Sequence, residues 1–216
     1  MEPDFWLSRW QEGKHGFHQE RVHPDLIEHE ELFLGGGPHR VFVPLCGKTV
    51  DLAWMASRGH EVVGAELSPI AAAAVFEREG VEPEIDELGP FQRFSANGIT
   101  VLVGDVFEAQ RELIGGFDRV WDRAAIVALD RPRRERYVTV VRRLLRDGGR
   151  ILQNAFAYDQ SRMDGPPWSV PEDEIREHYG DWVVERIAQE VLTDGKFVER
   201  GLPSWTINRF VISRPA

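Results

Sequence analysis

Two residues with the types and spacing of a nucleoside site stand in VFVPLCGKTVDLAWMASRGHEVVGAEL, residues 41–67. Gly47 lets backbone approach a ligand closely, and Glu66, roughly 20 residues on, falls where a carboxylate accepts from both hydroxyls of a ribose. The run Gly47-Lys48-Thr49 ends like a phosphate-binding loop, but such a loop needs glycine at position 42, where Phe42 stands. A dinucleotide fingerprint fails as well, because Gly47 has no glycine partner two residues away. What survives is a site for a ligand with a ribose and no pyrophosphate.

A second chemical signal is Asp122-Arg123, at the end of the apolar run FDRVWD. A charged pair there is expensive to bury unless it is paired or used, which makes it the first choice for a reacting centre. Asp105 directly follows another apolar run, ITVLVG, and reads equally as a ligand contact at the sheet's edge or as the cap of the next helix. His15, His18, His23 and His29 crowd one segment, yet no second paired set and no cysteine follows, so no metal is expected. Cys46 is the sole cysteine; without an identifiable base it reads as structural, and it excludes an intramolecular disulfide.

Positioning these residues requires an alternation of strands and helices. Apolar runs at 40–45, 61–67, 99–104, 117–122 and 150–157 predict five strands, with helices at 50–59, 69–79, 106–113 and 130–147 between them. A helix at 172–179 and two long strands, 182–192 and 204–213, should close the chain as an antiparallel hairpin. The expected fold is α/β: a Rossmann-like, seven-stranded, mostly parallel sheet with helices on both faces and a C-terminal antiparallel hairpin. One domain, 1–216, is expected, in which 1–37 form a helical lid segment and 38–216 the core. Residues 81–98 interrupt the alternation with Pro83, Gly89 and Pro90, and read as an insertion over one sheet edge.

A formal charge of −10 over 216 residues opposes a sequence-independent grip on phosphate backbones, so nucleic acid is not an expected partner. No apolar stretch reaches the ~18 residues that span a bilayer, and the first residues lack the pattern of an export signal. A cytoplasmic monomer acting on a small molecule, away from membranes, is the expectation.

The segments WQEGKHGFHQ, VFVPLCGKTVDLAWMASRGHEVVGAELS, FDRVWDRAAIVAL and YDQSRMDGPPWSVP together resemble the thiopurine S-methyltransferase family of class I adenosylmethionine-dependent methyltransferases, from residue 6 to the C-terminal strand. The resemblance implies methyl transfer from S-adenosyl-L-methionine to the sulfur of an aromatic or heterocyclic thiol, leaving S-adenosyl-L-homocysteine. By position it implies that Trp10 and Phe17 belong to a segment closing on the cofactor. Leu45 supplies a backbone contact and Glu66 the ribose carboxylate. Arg123 lies near cofactor and substrate, Pro166 and Pro167 form a pocket wall, and Arg200 is a second substrate-side arginine. Trp6 competes with Trp10 as the covering aromatic. Two other readings stand beside this one: a methyltransferase for selenium or tellurium species or an endogenous small thiol, and a nucleoside-binding protein without chemistry.

A thiolate that attacks a sulfonium loses charge in the transition state, so a dry pocket favours reaction once the anion has been steered in. Arg123 is therefore expected to act as the catalytic residue that holds the thiolate, joined by Arg200. No general base is assigned, because acidic heterocyclic thiols are already partly ionised near neutral pH.

Overall fold

The computed structural model describes residues 3–16 and 18–216. Among these, one sheet holds nine strands: β1 (Arg40–Pro44), β2 (Glu61–Glu66), β3 (Glu84–Leu88), β4 (Phe91–Ala96), β5 (Ile99–Val103), β6 (Phe117–Arg123), β7 (Leu145–Ala157), β8 (Val183–Leu192) and β9 (Trp205–Ser213). Their spatial order is β3-β4-β5-β2-β1-β6-β7-β9-β8. The run β5-β2-β1-β6-β7 is parallel, while β9 and β8 add an antiparallel hairpin at one edge.

Seven of these strands are the expected ones, and the count of seven is corrected to nine by the insertion. Its residues form β3 and β4, which extend the sheet antiparallel from β5. Asn97 and Gly98, with φ of 51° and 78°, make the tight hairpin turn into β5, and Gly89, with φ 58°, turns β3 into β4. Phe91 and Phe94 anchor β4 by burying their rings, whereas Ile85 on β3 stays exposed. Pro90 sits in the turn rather than in a strand, so the sequence breaker and the strand pair are compatible.

The parallel strands are buried on both faces, as their near-continuous apolar runs demand. Phe42, Val63, Phe117 and Val120 face one core, closed by Tyr137, Val138, Val141 and Leu144 of the helix Arg131–Leu144. Val41, Val43, Val62 and Trp121 face the other, closed by Leu52 and Met55 of the helix Asp51–Ser57 and by Ala72, Val75 and Phe76 of the helix Pro69–Glu79. Leu26, Phe33 and Leu34, from the short helices Pro24–Glu28 and Glu30–Leu34, are buried in this second core, which fixes residues 24–34 against the sheet.

Local signals set the boundaries. Ser68 caps the helix Pro69–Glu79 by accepting from the Ala71 N–H, and Gly80 ends it in the left-handed region at φ 66°. Asp130 caps the helix Arg131–Leu144 in the same way, through the Arg133 N–H. β7 starts earlier than expected because Leu145 already pairs with Phe117; the register then shifts past Gly148 and Gly149 before Arg150 pairs with Arg119. No helix among the described residues is long and apolar enough to cross a membrane.

Candidate active site

The turn that leaves β1 holds two residues in the left-handed region, Leu45 at φ 47° and Gly47 at φ 55°. For leucine that conformation is uncommon, and it persists only where surroundings enforce it. Here the Cys46 N–H donates to the Ala65 carbonyl at 3.0 Å and stitches the turn to β2. Glu66 finishes the job. Its Oε2 accepts from the Gly47 N–H at 2.8 Å and its Oε1 from the Ser68 N–H at 2.9 Å, so one carboxylate ties together the turns after β1 and β2. Burial pushes the Glu66 pKa up, and the backbone N–H groups of Ser68, Gly47 and Leu67 pull against that shift.

Trp10 lies directly on this turn: a Cβ added at Gly47 would stand 3.2 Å from the indole. The ring is buried and stacks on His15 with centroids 5.0 Å apart. Of the two tryptophans of the helix Pro3–Gln11, Trp10 is therefore the one that reaches the Gly47 turn. Phe17 falls outside the described residues.

β6 supplies the opposite side. Alternation along the strand sends Asp122 and Arg123 to opposite faces, which splits the pair read from the sequence. Asp122 is fully buried and accepts from the Tyr137 hydroxyl at 2.8 Å, the Gln153 amide at 2.7 Å and the Ile126 N–H at 3.2 Å. It braces the core and the turn after β6, where Ala124 has φ 63°. Asp122 is thus taken up by the core, and of the pair only Arg123 stays a candidate for the reacting centre. Arg123 is half-buried; burial lowers its pKa while the carboxylates of Asp51 and Asp25 support its charge.

Those two carboxylates are buried and were not singled out in the sequence. Asp51, at the start of its helix, accepts from the Trp121 indole at 2.8 Å and from the His23 N–H at 2.9 Å. Asp25 accepts from the Asn154 amide at 2.7 Å and pairs with Arg209 at 2.8 Å. Asp51 and Trp121 are 70 residues apart and Asp25 and Asn154 129, separations at which a spacing argument has no purchase.

The remaining candidate residues lie in the loop after β7 and in the connection from β8 to β9. Pro166 and Pro167 are held by the Trp168 N–H, which donates to Val127 at 2.6 Å, and by the Tyr158 hydroxyl, which donates to the Pro167 carbonyl at 2.5 Å. The Trp168 indole packs over Gly165, where no side chain would fit. Phe197, from the short helix Lys196–Glu199, buries with Met163 and Leu202, so this loop and the connection meet in a small apolar cluster. Arg200 is exposed and donates to the Asp164 carbonyl at 3.4 Å. Lys196 was not read from the sequence. Partial burial lowers its pKa, and the charges of Arg123 and then Arg200 lower it further.

Asp105 stands exposed beyond β5, its Oδ1 accepting from the Phe107 N–H at 3.0 Å, so the capping reading is realised on a 3-10 turn, Val106–Glu108. Cys46 is buried against Gly64. Burial, then the Glu66 charge, push its thiol well above the ordinary range, consistent with a structural role.

Comparison with known proteins gives a consistent neighbourhood. The family model described as Thiopurine S-methyltransferase (TPMT) matches residues 1–211. The thiopurine S-methyltransferase of Pseudomonas aeruginosa (strain UCBPP-PA14) is 43% identical over 209 residues, covering 95% of each chain. That of Xanthobacter autotrophicus (strain Py2) is 44% identical over 189 residues, covering 87% of this chain and 88% of the other. Among solved structures, the Burkholderia thailandensis 1,6-didemethyltoxoflavin-N1-methyltransferase, with 1,6-didemethyltoxoflavin and S-adenosylhomocysteine bound, superposes with a TM-score of 0.64 at 18% identity, covering 99% of this chain and 87% of that one. The magnesium protoporphyrin IX methyltransferase of Synechocystis, with S-adenosylhomocysteine bound, gives 0.66 at 14% identity, covering 98% and 97%. These two share the fold.

Proposed function

The chain belongs to the thiopurine S-methyltransferase family, and on that premise we propose that the cleft at the carboxyl ends of β1, β2 and β6 is its methyl-transfer site. The protein is an S-adenosyl-L-methionine-dependent methyltransferase acting on the sulfur of an aromatic or heterocyclic thiol. The observation that carries the site assignment is its division of charge. Glu66 ends β2 with its carboxylate on the Gly47 turn, and Arg123 ends β6 on the far side of β1, where its charge acts on Lys196.

The residues on the β2 side fit the cofactor. A carboxylate has about four acceptor positions, and the Gly47 and Ser68 N–H groups engage one oxygen each, which leaves acceptor capacity for ribose hydroxyls. Leu45 offers backbone at the strained turn, and Trp10 covers the site and keeps water out, with Phe17 assigned to the same segment by the family resemblance alone. Asp105 joins from the end of β5 with the oxygen that does not cap Phe107. S-adenosyl-L-methionine, when bound, supplies an electrophilic methyl group on a sulfonium.

On the other side Arg123 holds the substrate as its thiolate, and Arg200 and Lys196 draw the anion toward it. Pro166 and Pro167 form a wall that desolvates the sulfur without offering a donor that would blunt it. No side chain removes a proton, because the substrate arrives ionised.

Methyl transfer from labelled S-adenosyl-L-methionine to a panel of heterocyclic thiols tests this function. Methylated thiol should accumulate, fastest with the most acidic thiols. Binding of S-adenosyl-L-homocysteine with no methylation of any thiol would leave a nucleoside-binding protein and overturn the proposal.

A further inference from the structure

Arg123 does not stand alone at the end of β6. In register across the sheet it is followed by Asn154 of β7 and Arg209 of β9, so the three side chains form a row on one face. Asp25 sits on that row, with Oδ2 on Asn154 and Oδ1 on Arg209. Asp51 sits beside it, bound to Trp121, the residue two before Arg123 and therefore on the same face. His23 joins the two acids: its N–H donates to Asp51, and its Nδ1 lies 3.6 Å from Asp25. Two buried carboxylates are thus fixed by neutral donors and a second arginine on the sheet face that carries Arg123, whose charge they support.

We propose that Asp51 and Asp25 are positioning residues that tune the charge of Arg123, so that it captures a thiolate without over-stabilising it. This inference rests on the reading of Arg123 as the thiolate's partner. The physical reason lies in the direction of charge change. The thiolate and the sulfonium both lose charge on the way to the transition state, so any cation that favours the free thiolate stabilises the ground state more than the transition state. An uncompensated guanidinium would bind the anion tightly and slow its attack. Two carboxylates behind it cut the local positive potential while keeping the arginine in place.

The signature is a split between constants that mere damage does not produce. Asp51→Asn removes a charge but keeps an oxygen to accept from Trp121 or His23. For an anionic thiol at saturating cofactor, KM and kcat should both fall, each by about 3- to 10-fold for loss of one charge near a half-buried partner. Their ratio should change less than either constant: the acids alter only the charge of Arg123, which the nearly neutral transition state feels weakly, and leave in place the donor fork that orients the sulfur for attack. Asp25→Asn, which keeps an oxygen for Asn154, should move both constants in the same direction. It decides the question by the same criterion if Asp51→Asn does not fold, as judged by near-ultraviolet circular dichroism.

A KM that rises or stays fixed while kcat falls, in the folded variant, overturns the proposal and leaves the acids as scaffolding. Arg123→Ala, run beside them, separates the two levels. If it leaves turnover unchanged, the assignment of Arg123 falls and the tuning role with it. If it abolishes turnover while Asp51→Asn raises KM, only the tuning role falls.

Discussion

Replacing Arg123 with alanine removes both a cation and a planar fork of donors from the end of β6. A hydrogen bond to a charged partner contributes about 1.5 to 3 kcal/mol, and with about 1.4 kcal/mol per tenfold the loss of one such bond lowers kcat/KM for a thiolate about 10- to 100-fold. The side chain is half-buried, so water restores part of the lost solvation and the lower end is the safer figure. Structure adds a second cost. Without the guanidinium, the buried carboxylates of Asp51 and Asp25 lose a compensating charge, so thermal stability should fall as well. Arg123→Lys separates the effects: it keeps the charge that Asp51 and Asp25 need, but not the fork, and should recover the melting temperature more fully than the turnover. The assay is initial-rate methylation of an acidic heterocyclic thiol at saturating S-adenosyl-L-methionine, with melting temperatures measured in parallel. Turnover by Arg123→Ala equal to that of the unaltered protein would refute the reasoning.

Other outcomes follow from the same geometry. Gly64→Ala places a Cβ 2.6 Å from the Cys46 Sγ; an overpacked core costs about 1 to 3 kcal/mol, and Cys46→Ala in the same chain should return part of that loss in chemical denaturation. Asp122→Ala strands donors from Tyr137, Gln153 and Ile126 in a dry core, where each unsatisfied group costs about 1 to 3 kcal/mol, so it should lower the denaturation midpoint sharply while Asp122→Asn is milder. Glu174 is buried, which alone would raise its pKa, but hydrogen bonds from His178 and Arg134 hold it below the ordinary 4.5. Because the folded value is the lower one, its contribution to stability is present above 4.5 and is lost as pH falls through the folded value; Glu174→Gln should flatten that acid limb in melting curves recorded against pH.

Much of this arrangement was legible in the sequence because it is local. Glu66 and the glycine turn belong to one strand-helix-strand unit, so spacing alone places Glu66 beside Gly47, and the structure joins them at 2.8 Å. The caps at Ser68 and Asp130 and the hairpin at Asn97-Gly98 are equally local. The readings that needed correction depend on what a residue meets across the sheet. Asp122 looked functional because its charge ends an apolar strand, yet its partners are Tyr137 and Gln153, on a later helix and strand. Asp25 and Asp51 stand in the first turns of short helices, where acids are common, so nothing local marks them, and only tertiary packing shows them bound to Asn154, Arg209 and Trp121. β3 escaped notice because its alternation, EIDEL, leaves most of the strand exposed, and a strand with so little buried surface carries a weak apolar signal.

The central claim is that Glu66 anchors a ribose-bearing cofactor beside a turn covered by Trp10. Calorimetric titration of S-adenosyl-L-homocysteine into the unaltered protein and into Glu66→Ala tests it most directly, with circular dichroism to confirm that the variant is folded. Binding should be saturable with one site per chain in the unaltered protein and weakened at least about 100-fold in the variant, the equivalent of two charge-assisted hydrogen bonds at about 1.5 kcal/mol each. Unchanged affinity in a folded Glu66→Ala protein would contradict it.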